Sequence, residues 1–211
     1  MLGRASEGCA LCFFGIAMQI RKLCAADIAQ CLALYDYYIE NTAYTFEEAP
    51  LDAAQFAARA ERIARDYPFY VAAEGERVLG YGYLDVFNER SAYRFTADVS
   101  LYVEKDSLHR GIGGKLLAAL EKDAHRAGIE NLISVIASEN DISLRFHEKH
   151  GFFCAGELKN VGLKFGQRHS VKYYQKCLRR SSQAARAPDT RADCDEKGEL
   201  CGDFPKESKS T

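Results

Sequence analysis

The chain has 211 residues, 47% of them hydrophobic and 27% charged, which is ordinary for one soluble domain with a core of useful size. Its formal net charge of −2 leaves no global basic field for nucleic acid or an anionic membrane surface. Of the eight cysteines, Cys24, Cys31, Cys154 and Cys177 occupy apolar strand or helix positions and read as buried free thiols; Cys9, Cys12, Cys194 and Cys201 lack histidines at zinc-site spacing, so no metal is expected.

Residues 1–17 fall outside the periodic pattern. Their apolar run, 10–17, stands behind a single Arg4, is too short to span a bilayer, and joins the first strand without a linker. That run weakly resembles a signal peptide, but with Met18 heading the strand, 1–17 reads at least as well as an extension from an artefactual or optional upstream start, and the protein reads as cytoplasmic. Residues 19–24 read as a strand, after which Asp27 is placed to cap a helix carrying Ile28, Cys31, Leu32, Tyr35 and Ile39 on one face. A loop over 41–51 contains Tyr44, Thr45 and Phe46; a helix over 52–66 then buries Phe56, Ala60 and Ile63 and stops at Pro68. Residues 69–73 and 78–87 read as strands joined by the short charged turn 74–77, an antiparallel hairpin.

In the next strand, 95–104, alternation sends Val99, Leu101 and Val103 one way and Thr96, Asp98, Ser100 and Tyr102 the other. Ile112, Leu116, Leu117, Leu120 and Ala124 make one apolar stripe of a helix that Gly128 terminates. Residues 131–137 read as a buried strand, and 138–143 offers Ser, Asn and Asp caps to a helix reaching His150. Strands over 152–158 and 169–178 complete the domain, 18–178, and the polar segment 179–211 reads as a disordered tail. This order predicts an α/β fold, a mixed sheet with helices on both faces.

Between the strand 95–104 and its helix lies Leu108-His109-Arg110-Gly111-Ile112-Gly113-Gly114. A strand that passes through a glycine-rich turn into a helix presents free N–H groups at the positive end of the helix dipole, a place that suits phosphate. We read it as a pyrophosphate cradle, although the same glycines would serve a tight turn alone. Neither Gly-x-x-x-x-Gly-Lys-Ser/Thr nor Gly-x-Gly-x-x-Gly is present.

This strand, turn and helix resemble the central motif of the GNAT superfamily of N-acetyltransferases, and residues 19–178 are similar to its phosphinothricin N-acetyltransferase branch. The likeness is carried by Thr45-Phe46-Glu47, Tyr67-Pro68, Ala92-Tyr93-Arg94 with Thr96 and Asp98, Ser100-Leu101-Tyr102-Val103, Asn140 with Ser143, His147-Glu148, Gly151-Phe152 and Lys164-Phe165-Gly166. The resemblance implies a GNAT fold: a mostly antiparallel sheet of six to seven strands with a V-shaped split between its central strands. It implies acetyl-CoA as cosubstrate in that split, with pantetheine on the main chain of Leu101, Tyr102 and Val103. The pyrophosphate would lie on His109, Arg110, Gly111, Ile112, Gly113 and Gly114, with Asn140 and Ser143 nearby.

It further implies Asp98 as general base, His147 in support of the active site, and Phe46, Arg90 and Arg94 on the acceptor side. Each has a plainer reading. Asp98 is a solvated strand residue, Asn140 a helix cap, His147 a packed helix residue, Arg90 and Arg94 surface charges, and the Tyr102 ring belongs to the core. Three departures stand out: Leu108 replaces the branch's Gln/Arg, Asp98 its Glu, and Arg168 and Ser170 its Trp and Asp. The acceptor implied is a small amino acid or analogue of the phosphinothricin, methionine sulfone or methionine sulfoximine type. Alternatives are a peptide N-terminus, a polyamine, or a catalytically weak acetyl-CoA-binding module. A homodimer is the partner the family implies, with no nucleic acid or membrane.

Overall fold

The computed structural model describes residues 17–178. All but the last residue of the expected extension, the whole expected tail, and Cys9, Cys12, Cys194 and Cys201 lie outside the described residues. In chain order the elements are β1 (Gln19–Lys22), α1 (Ile28–Asn41), α2 (Ala53–Asp66), β2 (Phe69–Glu74), β3 (Arg77–Val86), β4 (Thr96–Val103), α3 (Ile112–Arg126), β5 (Asn131–Ala137), α4 (Asp141–Lys149), β6 (Phe153–Lys164) and β7 (Gln167–Cys177). The strands form one sheet in the order β1-β2-β3-β4-β5-β7-β6, and every neighbouring pair is antiparallel except β4–β5.

That parallel pair defines the architecture. β4 and β5 are joined at only three positions, Thr96↔Asn131, Ala97↔Leu132 and Asp98↔Ile133, although β4 continues to Val103 and β5 to Ala137. Beyond Asp98 and Ile133 the two strands no longer pair with each other among the described residues, and the sheet is split there.

Each face is covered. Leu84, Ala97, Val99, Leu132 and Ile136 pack with Leu117 and Leu120 of α3 and Leu144 of α4. On the opposite face Val71 and Tyr81 pack with Cys31, Tyr35 and Ile39 of α1 and Phe56, Ala60 and Ile63 of α2. The stripe expected on α3 is fully buried, each of its large side chains contributing about 1.5–3 kcal/mol by leaving water. At α2 the Asp52 carboxylate accepts from Gln55 N at 2.8 Å while Gln55 Oε1 accepts from Asp52 N at 3.1 Å, a reciprocal cap.

Three expectations need correction. Asp27 does not cap α1 with its side chain: its carboxylate accepts two hydrogen bonds from Arg21, at 2.6 and 2.7 Å, and one from Cys24 N at 2.9 Å. The Arg21 bonds are the main reason that its pKa lies at about 2. Among the four cysteines expected to be buried only Cys31 is; Cys24, Cys154 and Cys177 are exposed. β6 runs on to Lys164, six residues beyond the expected end, because as the sheet's edge it is exposed along most of its length and shows no alternation to read.

Candidate active site

The split begins at Asp98. In the β3–β4 ladder Asp98 stands directly opposite Asp85, Ser100 opposite Tyr83, and Tyr102 opposite Tyr81, so these side chains share the face covered by α1 and α2. Asp98 is not the solvated residue of the plainer reading. Its Oδ1 is buried without a hydrogen-bond partner among the described residues. Burial, reinforced by the negative charge of Asp85, pushes its pKa up to about 7. Asp85 is the reverse case. Arg62 of α2 donates to its two oxygens at 2.9 and 2.6 Å and Val86 N donates at 2.8 Å. Burial would raise this acid, but these bonds outweigh it and hold Asp85 below the usual carboxylate range.

Past Asp98, β4 pairs, among the described residues, with β3 alone. Antiparallel alternation turns the main chain of Tyr102 toward β3 and that of Leu101 and Val103 toward the split. Tyr102 therefore differs from expectation: its amide and carbonyl belong to the ladder, and its ring packs 5.1 Å from Tyr35, 5.1 Å from Tyr81 and 5.7 Å from Tyr38. The Val103 carbonyl accepts from Tyr38 Oη at 2.6 Å, which anchors α1 at the lip of the split.

The turn between β4 and α3 carries the clearest signature. Leu108 N donates to Lys105 O at 3.4 Å, and the next amide with a main-chain acceptor is Lys115 N, to Gly111 O at 3.2 Å. Between them the N–H groups of His109 to Gly114 have no acceptor among the described residues. His109 (φ 63°) and Gly111 (φ 76°) are both left-handed, which curls the segment into a nest of amides at the positive end of α3. The glycines have distinct duties. Gly111 takes a left-handed φ with open space around it, whereas a Cβ at Gly113 would lie 3.1 Å from Phe146 Cε2 and one at Gly114 would lie 3.1 Å from His150 Nε2. Arg110 pairs its guanidinium with Glu74, so its contribution to the nest is its main chain.

On α4, Asn140 Oδ1 accepts from Ser143 N at 3.1 Å, the capping bond of the plainer reading. His147 Nδ1 lies 2.8 Å from Ser143 O, and since a carbonyl only accepts, the proton is assigned to Nδ1. Its Nε2 is buried and without a partner among the described residues. The ring lies 4.9 Å from Phe152 and 6.4 Å from Tyr174, and burial lowers its pKa. Phe152 and Tyr174 belong to the core on the α3 and α4 face, the face opposite to Asp98. His147 and Asp98 therefore lie on opposite faces of the sheet, and the support expected of His147 is not a direct contact with Asp98.

On the acceptor side, Phe46 presses on β6 so closely that a Cβ at Gly162 would collide with its ring, and Lys164 Nζ donates to Thr45 O at 2.8 Å. Lys164 is only 2% exposed. These contacts tie the loop after α1 to the hairpin β6–β7, on the other side of the split. Arg90 and Arg94 are exposed in the turn before β4, with the Arg94 guanidinium 4.1 Å over the Phe95 ring. The Asp85–Arg62 pair, Tyr38 and the burial of Lys164 were not visible in the sequence. Arg62 and Asp85 lie 23 residues apart in different elements, with no spacing rule to link them. Among the described residues no cluster of His, Cys, Asp and Glu suits a metal, and no helix is long and apolar enough to cross a membrane.

A sheet split beside its one parallel pair, with an amide nest leading into a helix on one strand and a half-buried carboxylate at the apex, is the architecture that the GNAT resemblance implies. Residues 20–170 match the family described as acetyltransferase (GNAT) domain, and the chain belongs to that family of enzymes. It is 34% identical over 153 residues to phosphinothricin N-acetyltransferase of Alcaligenes faecalis, covering 72% of this chain and 78% of the relative. It is 32% identical over 162 residues to L-methionine sulfoximine/L-methionine sulfone acetyltransferase of Pseudomonas paraeruginosa, covering 76% and 94%. The crystal structure of a phosphinothricin acetyltransferase from Sinorhizobium meliloti in complex with AcCoA matches with a TM-score of 0.74 at 30% identity, covering 82% of this chain and 94% of that one.

Proposed function

We propose that the protein transfers the acetyl group of acetyl-CoA to the primary amine of a small amino acid or analogue of the phosphinothricin, methionine sulfone or methionine sulfoximine type. The observation that carries this reading is the run of amides from His109 to Gly114, beside the split, that have no acceptor among the described residues. A diphosphate offers only acceptors, and the nest offers only donors at the positive end of a helix. Leu108 withholds the charged contact found elsewhere in the family, so affinity rests on the main chain; such a contact is worth about 1.5–3 kcal/mol. The amides of the pantetheine arm fit the edge of β4 at Leu101 and at Val103 N, the Val103 carbonyl being already engaged by Tyr38. Asn140 and Ser143 stand as further candidates on the cofactor side, with Asn140 Oδ1 already engaged in the cap.

Acetyl-CoA supplies a thioester as acyl donor, and the chain's own task is to deliver a neutral amine to it. Asp98 takes a proton from the acceptor ammonium, breaking N–H and forming O–H on its carboxylate. The amine then attacks the acetyl carbon, C–N forms, C–S breaks, and the second amine proton ends on the departing thiolate as the first passes to solvent. A base titrating at about 7 is far better matched to an ammonium than an ordinary Asp, which offsets its being one methylene shorter than the family's Glu. Arg90 and Arg94 fit the carboxylate of the acceptor and Phe46 its side chain; His147 keeps a packing role. The free thiols at Cys24, Cys31, Cys154 and Cys177 fit a reducing cytoplasm.

The test is a thiol-release assay with acetyl-CoA and a panel of amino acids, peptides and polyamines. CoA release with methionine sulfone, methionine sulfoximine or phosphinothricin, abolished in Asp98→Asn with acetyl-CoA affinity retained, is expected. Acetyl-CoA binding without release for any acceptor would instead identify a binding module.

A further inference from the structure

We propose that Asp85, clamped by Arg62, is a positioning residue for acetyl transfer: it fixes a second negative charge opposite Asp98, so that Asp98 holds the proton it takes from the acceptor ammonium until the C–S bond breaks. This rests on the reading of Asp98 as base given above.

Asp85 and Asp98 form one cross-strand pair of the β3–β4 ladder, with both carboxylates on the face covered by α1 and α2. Like charges directly opposite each other on a sheet repel. The surroundings resolve that conflict unequally. Asp85 receives two hydrogen bonds from Arg62 and one from Val86 N. Asp98 Oδ1 receives none among the described residues. One carboxylate is thereby locked in its charged form, and the other is left to respond to that charge. Two acids whose environments push their proton affinities apart form a working acid–base unit.

The remaining groups around Asp98 leave the pair in control. From β3 comes the Tyr83 hydroxyl and from the end of α2 the Tyr67 hydroxyl; burial raises the pKa of both, so they are neutral near pH 7. Within β4 the neighbours on this face are Thr96 and Ser100, and β5 contributes the apolar Ile133. Arg59 of α2 is paired with Glu47. Burial is the larger cause of the raised affinity of Asp98 and Asp85 the next, so removing the Asp85 charge relieves part of the shift.

The test follows the titration of the Asp98 carboxyl by carbon-13 NMR in the full chain, its resonance assigned by loss in Asp98→Asn, alongside the pH profile of kcat/KM with acetyl-CoA and L-methionine sulfone. The wild-type midpoint is expected at about 7. Asp85→Asn should lower it by about one pH unit and reduce turnover several-fold, leaving the KM for acetyl-CoA unchanged. Arg62→Met, which leaves the Asp85 charge uncompensated, should move the midpoint upward. Opposite displacements are the expected signature, since a merely structural role would lower activity in both variants and leave the midpoint in place. An unmoved midpoint, or movement of both variants in one direction, would overturn the role of Asp85 alone. Turnover surviving Asp98→Asn would overturn the role of Asp98, and this one with it.

Discussion

Lys164, at the end of β6, donates from its buried Nζ to the Thr45 carbonyl at 2.8 Å and so fastens the loop after α1 to the hairpin across the split. Burial lowers the proton affinity of the amine while the nearby Glu47 and Glu48 raise it. Lys164→Met keeps the apolar stem and deletes the donor. Because removing a buried ammonium also relieves its desolvation, we expect a stability change within about 1–2 kcal/mol. Amide exchange over residues 42–48 should quicken and the KM for the acceptor should rise several-fold, on the order of the loss of one charged hydrogen bond, with acetyl-CoA affinity unaffected. Unchanged exchange and KM would mean that the loop is held by Phe46 instead.

Gly111 permits a clean probe of the nest. A Cβ there meets nothing within 4 Å, whereas substitution at Gly113 presses on Phe146. Asn and Asp tolerate a left-handed φ about equally, so Gly111→Asn and Gly111→Asp share their backbone cost and differ in charge. The Asp variant should bind acetyl-CoA about tenfold more weakly than the Asn variant, because its carboxylate competes for the same amides and repels a diphosphate. Equal affinities in calorimetry would place the diphosphate elsewhere.

For His147, a structural role makes the expected pattern simple. His147→Asn should lower stability by about 1–3 kcal/mol, through lost packing and an imperfect replacement of the bond to Ser143 O, and leave kcat within a few-fold of wild type. In wild type, a pKa lowered in the folded state means that the unfolded chain binds the extra proton as pH drops below about 6.5, so stability falls with acid there and the variant should flatten that limb. A hundredfold loss of kcat at unchanged melting temperature would return His147 to the catalytic site.

Asp98 should carry a stability cost of the opposite pH sense. Its folded pKa of about 7 lies above the ordinary value of 3.8, so below about pH 4 it is protonated in both states and costs nothing. As pH rises, the unfolded chain releases the proton first, and the native state loses ground until the folded group has ionised. The undiscounted figure is about 4 kcal/mol; partial exposure brings it to about 2 kcal/mol. Asp98→Asn should therefore be more stable than wild type at pH 8 and no more stable at pH 4. Denaturant titrations at the two pH values check this, and equal differences at both would show that Asp98 is not desolvated.

Much of the scaffold was legible because its periodicities are strong. The stripe Ile112, Leu116, Leu120 and Ala124 located α3, and β5 fell at 131–137 as expected from its run of Ile and Val. The same alternation that placed Asp98, Ser100 and Tyr102 on one side of β4 gave no hint of what covers that side, since helices 28–41 and 53–66 pack there through tertiary contacts alone. Asp27 read as a cap because its type and position suit one; Arg21 outcompetes the helix amides for it. The resemblance places His147 by its position along the chain and says nothing of which face of the sheet its side chain enters. The nest was legible as a sequence of glycines, but that six successive amides lack acceptors among the described residues is a property of folded geometry.

The most direct measurement is a titration of unlabelled acetyl-CoA into nitrogen-15-labelled protein, followed by amide chemical shifts. The amides of His109 to Gly114 should shift most, in the direction of stronger hydrogen bonding, together with those of Leu101 and Val103, while Tyr102, paired to β3, moves little. Saturable binding that leaves 109–114 unperturbed would contradict the placement of the diphosphate, and with it the acetyl transfer built upon it.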